Sequence, residues 1–340
     1  MRAAQERSFI SHDATELFYR HWPAQSGAGD RAIVMFHRGH EHSGRMAHLV
    51  DELNLPDFAM FAWDARGHGR SPGPRGHSPS IGASVKDVDA FVKHVSASHG
   101  IPIENIAILA QSVGAVLAAA WAHDFAPPVR CLVLASPAFE VKLYVPFARP
   151  GLRLLRKLRG EFYVNSYVKA RFLTHDPERI ASYQRDPLIT RPISVDILLA
   201  LYETAERVIA DAQAITLPTQ LLISGADWVV RREPQDRFFE RLGTPVKERH
   251  VLPGFYHDTL GEKDRALALD KARAFILRTF SIPPEPVSLL EAHHSGYTRD
   301  EQLALERPLS SLSPRAVGYW LTRFGMRTLG RLSDGIRLGI

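Results

Sequence analysis

The sequence predicts an α/β protein: a mostly parallel, doubly wound sheet interrupted by one helical insertion. Continuously apolar runs recur at Ala32–Phe36, Phe58–Trp63, Ile106–Ala110, Cys131–Ala135 and Gln220–Ser224, with a more mixed run at Glu248–Leu252. Strands of this kind are covered on both faces. Helical patterns separate them at Arg45–Leu53, Ser84–Ser98, Ala115–His123, Glu233–Leu242 and Lys263–Phe280, an alternation that places helices on both faces of a parallel sheet. Between Ser136-Pro137 and Leu217-Pro218 the alternation stops, and the chain reads as helical throughout.

Taken in order, Ser8–Ile10 and Leu17–Trp22 flank Ser11-His12-Asp13 and read as an antiparallel hairpin. After the Gly- and Ala-containing loop Gln25–Asp30 the parallel strands begin, and the polar residues collect in the loops that follow them. These are His37–Arg45, Asp64–Ser71, Ser112, Gly225–Val230 and Pro253–Asp258. In open parallel sheets, active residues sit beyond the carboxyl ends of strands.

The segment Ala110-Gln-Ser-Val-Gly114 stands out, because an apolar strand stops there and an Ala-rich helix starts at once. Such a sharp turn holds its apical serine above the sheet, and the residues two before and two after it must be small. Ala110 and Gly114 meet that requirement, and the following helix aims its N-terminal amides at the space where an oxyanion would form. The alternative is a serine that only caps a helix. Chain order then supplies Ser112, Asp227 and His257, the order of a triad on this sheet type.

At 340 residues, with 45% hydrophobic and 23% charged residues and a net charge of +5, the composition is that of one enzyme-sized globular unit. The single cysteine, Cys131, permits no internal disulfide and lies in an apolar run, so a buried core thiol is expected. The N-terminus lacks the apolar region of a secretory signal, and no apolar stretch approaches the roughly 20 residues of a membrane span. A cytoplasmic location is the expectation.

These motifs resemble the monoacylglycerol lipase and lysophospholipase group of α/β-hydrolases, which is classified with serine aminopeptidases of the S33 type. The matching segments run from about Ser8 to Phe280. They are H-x-x-x-E-H-S-G-R at His37–Arg45, D-x-R-G-H-G-x-S at Asp64–Ser71, the Ser112 turn, G-x-D-x-V-V at Gly225–Val230 and Tyr256-His-Asp258. Leu173–Glu178, Tyr183 and Asp186–Leu188 match in the insertion. The resemblance implies an α/β-hydrolase fold with core at 1–137 and 215–280, a helical cap (lid) at 138–214, and a linker with a C-terminal amphipathic helical extension at 281–340. It implies a serine esterase acting on lysophospholipid or monoacylglycerol, with no cofactor and no metal.

A serine hydroxyl needs a base within hydrogen-bond reach and an acid to orient that base. His257 is the candidate base and Asp227 the acid, with Asp258 pointing elsewhere and Asp64 organising the Arg66 and His68 turn. The backbone N–H groups of Val113 and, by match to the family's donor, Gly39 are the candidate oxyanion hole. Arg38 replaces the family's usual glycine; it either contacts an anionic substrate group or turns outward to a surface acid. Tyr144 and Phe147 are candidate substrate contacts. His37, His40, His42 and His48 carry the shape of a metal cluster but lack cysteine and belong to a metal-free motif. His293-His294 reads as surface.

From Lys142 to Arg171 eight basic residues face one acid, Glu161, and interleave with leucines and aromatics. That mixture suits a peripheral anionic membrane surface as partner; the alternative is a solvated lid with its apolar face inward. No nucleic-acid motif accompanies the charge. Beyond Phe280, Ser281–Pro286 reads as a stiff linker and Ser313-Pro314 as a helix start, with Trp320, Leu321 and Phe324 beside Arg323, Arg327 and Arg331. This tail resembles the connector of bacterial proteins that join such a hydrolase to a methyltransferase, which suggests a methyltransferase partner or domain. Rival functions are an aminopeptidase, for which Glu161, Glu178 and Glu203 are acidic candidates, a non-catalytic lipid-binding or interaction module, and acyl transfer to an alcohol other than water.

Overall fold

A computed structural model of the protein describes residues 2–166 and 168–282. The linker from 283 onward, His293-His294 and the helix expected after Ser313-Pro314 lie outside the described residues.

The elements run β1 Gln5–Ile10, β2 Glu16–Trp22, β3 Ala32–Phe36, α1 Leu49–Glu52, β4 Ala59–Trp63, α2 Ile81–His99, β5 Ile106–Gln111, α3 Val113–Phe125 and β6 Cys131–Ala135. Then come α4 Ala148–Arg159, β7 Tyr163–Asn165, α5 Pro177–Arg185, β8 Pro192–Ser194 and α6 Val195–Ala210. The chain returns to the sheet with β9 Thr219–Ser224, α7 Glu233–Arg241, β10 Lys247–Leu252 and α8 Ala266–Ser281. The eight-stranded sheet has the order β1-β2-β4-β3-β5-β6-β9-β10. β1, β2 and β4 pair antiparallel and the rest pair parallel.

The apolar runs are continuous because successive side chains enter two different cores. Val34 and Phe36 of β3, Phe61 and Trp63 of β4, and Ile108 and Ala110 of β5 pack on one face under α2, α3 and α6. Ile33, Met35, Met60, Ala62, Ala107 and Leu109 pack on the other, with α8. Each large apolar side chain so buried contributes about 1.5–3 kcal/mol. Cys131 is fully buried in the second core, and burial pushes its thiol up to about 12.

Register aligns the carboxyl ends of the strands. Phe36 of β3 stands beside Ala110 of β5, Gln111 beside Ala135 of β6, Ala135 beside Leu222 of β9, and Ser224 beside Leu252 of β10. The loops after β3, β5, β9 and β10 therefore leave the same edge.

Two local expectations are corrected. The helix expected over Arg45–Leu53 is a 3₁₀ turn at Ser43–Met46 followed by the single turn α1. His42 caps the 3₁₀ turn by accepting from Gly44 N, and Asp64 Oδ1 takes the Ser43 N–H at 2.7 Å, which pulls the chain off an α path. The insertion is not all helix: β7 and β8 form a two-stranded antiparallel sheet. Within it α6 packs on α3 and α7, whereas α4 has no buried residue.

Candidate active site

Ser112 occupies the turn between β5 and α3 at φ +56° and ψ −117°, a conformation an L-residue holds only when its surroundings impose it. Its N–H donates to Ala135 O at 2.9 Å, and its carbonyl accepts from Ala138 N at 3.1 Å. A Cβ at Gly114 would lie 2.5 Å from His37 O and 2.7 Å from Phe36 O. Only glycine lets α3 approach β3 this closely, which sets Ser112 beside the loop after β3.

Ser112 Oγ lies 2.7 Å from His257 Nε2, and His257 Nδ1 lies 2.7 Å from Asp227 Oδ2. Asp227 Oδ1 accepts from Val229 N at 2.7 Å and Val230 N at 3.0 Å, so its own turn fixes the carboxylate. Burial pushes the Asp227 carboxyl up, but His257 and these two amides outweigh it, and the net direction is down. The structure thus joins Ser112, His257 and Asp227 in one hydrogen-bonded chain.

Val113 N is the first amide of α3. Gly39 sits so close that a Cβ on it would meet Val113 Cγ2 at 3.2 Å. Neither N–H has an acceptor among the described residues, and both residues line the same cavity as Ser112 and His257. That cavity measures about 550 Å³. Trp63, Ile81 and Leu117 contribute to its wall from the sheet side, and Phe147, Leu152, Leu155, Ile197 and Leu201 from the insertion.

Of the candidate contacts, Arg38 does not turn outward to a surface acid, and it is among the residues lining the cavity. It is buried, with Nε and Nη2 each 2.7 Å from a Glu41 oxygen and Nη2 3.7 Å from Asp258 Oδ2. Tyr144 is not among the residues lining the cavity and donates its hydroxyl to Trp228 O, while Phe147 does line the cavity and is 86% exposed. Asp64 closes the turn of Arg66 and His68 as expected, accepting from Arg70 N at 2.8 Å, and ties it to the loop after β3 through Ser43 N, while the Arg66 guanidinium pairs with Asp13 and Asp87.

The four histidines of the β3 loop face different partners. His37 sits between Arg38 O and Ala65 N, His42 Nε2 meets Asp186 Oδ2 at 2.9 Å, and His48 Nε2 meets Leu260 O at 2.8 Å. His40 faces the backbone of Thr190.

The sequence reading missed a buried ionic cluster behind the site. Asp258 Oδ2 takes Arg179 Nη2 at 3.0 Å and Oδ1 takes Gln111 Nε2 at 3.1 Å, with Arg38 and Glu41 alongside. Burial raises the Asp258 carboxyl, but the Arg179 and Arg38 guanidiniums outweigh it and hold it far below the usual range. Burial works against the Arg38 charge too, and Glu41 and Asp258 reverse it, so the Arg38 pKa is raised. Gln111 precedes Ser112, Asp258 follows His257, and Arg38 precedes Gly39. That adjacency was the available signal.

Residues 27–264 of the chain match the family described as serine aminopeptidase, S33. The chain belongs to this family. The S33 chain is 55% identical over 339 residues to the protein YnbC of Escherichia coli (strain K12), a match covering 100% of the chain and 58% of that relative. The chain thus spans a little over half the length of this relative. It is also 26% identical over 275 residues to the monoacylglycerol lipase of Mycolicibacterium smegmatis (strain ATCC 700084 / mc(2)155), covering 80% of the chain and 96% of the relative. The crystal structure of Paleococcus ferrophilus monoacylglycerol lipase superposes with a TM-score of 0.68 at 24% identity, covering 77% of the S33 chain and 99% of that chain. The fold is the α/β-hydrolase fold expected from the sequence, and the chain is similar to proteins named monoacylglycerol lipase and phospholipase. Residues 272–340 match a family described as putative methyltransferase. Among the described residues no helix is long and apolar enough to cross a membrane.

Proposed function

We propose that the S33 chain cleaves carboxylic esters of lipids, lysophospholipids or monoacylglycerols, through an acyl-enzyme on Ser112. The observation that carries this reading is the Ser112–His257–Asp227 hydrogen-bonded chain opening onto an apolar cavity with no Asp or Glu among its described lining residues. In this reading His257 Nε2 takes the Ser112 proton as Oγ attacks the ester carbonyl, and Asp227 stabilises the imidazolium. The N–H groups of Gly39 and Val113 hold the oxyanion. Collapse breaks the ester C–O bond, His257 returns the proton to the leaving alcohol, and water then repeats the sequence on the acyl-serine to release the acid.

The aminopeptidase reading needs a carboxylate for the substrate's free amine. Glu161 lies 3.1 Å from His77 Nδ1, Glu203 lies 3.1 Å from Arg153, and Glu178 is exposed on α5. None of the three lines the cavity. A panel of lysophospholipid, monoacylglycerol and aminoacyl-naphthylamide substrates tests the point. The lipid esters are expected to have the higher kcat/KM, and a preference for aminoacyl amides would reverse the assignment.

The reading takes 138–214 as a cap over the acyl site. Within it Arg149 and Arg153 of α4 lie 2.7 and 3.1 Å from Glu206 and Glu203 of α6, and Arg156 pairs with Asp196. These arginines therefore pair with α6. What α4 offers outward is Leu154 and Leu158, 59% and 72% exposed, with Phe147 just before it. Membrane contact in this proposal is made by those apolar tips, with Lys157 and Arg159 on the same helix. The double variant Leu154→Ser/Leu158→Ser is expected to bind phosphatidylglycerol vesicles at least about tenfold more weakly in a sedimentation assay. Unchanged sedimentation would leave α4 as a solvated lid.

A further inference from the structure

Arg179 stands in the first turn of α5, inside the insertion, and is not among the residues lining the cavity. Its guanidinium reaches out of the insertion to the loop that carries His257. Nε and Nη2 lie 3.1 and 3.0 Å from Asp258 Oδ2, and Nη1 lies 3.2 Å from His48 Nδ1. The chain just before α5 adds two bonds to that loop: Asp258 N donates to Leu173 O at 2.7 Å, and Thr174 Oγ1 donates to Gly261 O at 3.0 Å.

From the sheet side, Gln111 grips the same point. Its Nε2 donates to His257 O at 3.2 Å and to Asp258 Oδ1 at 3.1 Å. The proposed base is therefore held by its own carbonyl and by its neighbour's carboxylate, with Gln111 on one side and Arg179 on the other. Proton transfer requires His257 Nε2 to stay within hydrogen-bond reach of Ser112 Oγ, 2.7 Å away. A displacement of about 1 Å can cost about 100-fold in rate. Arg38 Nη2, at 3.7 Å, lends charge to Asp258 from beyond hydrogen-bond distance. Among the described residues, Arg179 is the cation that hydrogen-bonds this carboxylate, and its planar guanidinium fixes direction as well as charge, which a lysine ammonium does not.

We propose that Arg179 is a positioning residue for the proposed base: by fixing the Asp258 carboxylate from the insertion, it keeps His257 at its working distance from Ser112. The insertion then completes the triad as well as covering the acyl site. This deepens the ester-hydrolase reading and rests on it. Arg179 takes no part in proton transfer and touches no substrate.

The test measures kcat and KM for p-nitrophenyl acetate and p-nitrophenyl decanoate on the whole chain, below the melting temperature of each protein. The proteins are wild type, Arg179→Met, Arg179→Lys, Asp258→Asn and the double variant Arg179→Met/Asp258→Asn. The acetate is too short to need the apolar wall contributed by the insertion, so it reports on the triad alone. Arg179→Met is expected to lower kcat on both esters by the same factor, about tenfold or more, with KM changed less than about twofold. Arg179→Lys keeps the charge, and with it the fold, and should fall between wild type and Arg179→Met. The double variant should be no slower than the slower single variant, because Arg179 acts through Asp258. A mere staple between insertion and core would lower Tm and leave kcat on the acetate at the wild-type value. Wild-type kcat on the acetate in Arg179→Met and Arg179→Lys, or losses that multiply in the double variant, would overturn the proposal and leave the hydrolase reading standing. Hydrolysis of neither ester by wild type would remove that reading and this proposal together.

Discussion

Ser112→Ala is expected to lower lipid-ester hydrolysis by at least about 10⁴-fold while leaving the fold intact. Removing Oγ deletes the atom that would form the acyl bond, and the oxyanion donors alone give only residual catalysis. Alanine keeps the Cβ, so the backbone at φ +56° meets no contact that serine does not already tolerate. Intact mass after incubation with a fluorophosphonate gives the direct readout. One adduct on wild type and none on the variant is the expected result. An adduct on both proteins, or full hydrolysis by the variant, would take Ser112 out of the mechanism.

Asp258→Asn is expected to destabilise the fold by about 3 kcal/mol. Removing one member of a buried ion pair typically costs about 3–5 kcal/mol because its partners stay buried and charged. The lower end applies because Arg38 keeps Glu41 and Arg179 is partly exposed. For a chain of this size that corresponds to a fall in Tm of roughly 4 °C. The pH dependence has a definite sign. The folded pKa of Asp258 is depressed, so its stabilisation is fully present above the unfolded value of about 3.9 and is lost as pH falls below it. Wild type should therefore lose stability on acidification more steeply than Asp258→Asn, as thermal melts at several pH values would record. Because Asp258 adjoins His257, the variant should also lose kcat with little change in KM. Parallel acid limbs in the two proteins would show that the ion pairs contribute nothing.

What could be read from the sequence depended on whether a signal was local. The apolar runs of β3, β5 and β6 were legible because both faces of each strand are buried, and no polar alternation confuses them. Ser112 was legible because the turn demands small residues within two positions, and the Gly114 approach to Phe36 O gives the physical reason. Arg38 was not, since its partners Glu41 and Asp258 come from separate loops and only folding brings the second to it. The pairing of the α4 arginines with α6 was not legible for a related reason. Counting charge in a segment says nothing about which side of a helix carries it, and Asp196, Glu203 and Glu206 lie in another helix. The strands β7 and β8 are three residues each, too short for any periodic signal.

The hydrogen bond between Ser112 and His257 joins residues 145 positions apart, and His257 follows β10, which among the described residues pairs only with β9 at one edge of the sheet. During synthesis, a nascent chain that has exposed its serine, its turn and most of its sheet still has no base to activate that serine. In the proposed mechanism, reactivity toward an ester requires that the edge strand has docked. Non-local closure of this kind is a late event in folding, so in the proposed mechanism covalent labelling of Ser112 is expected to count only molecules whose edge strand has docked.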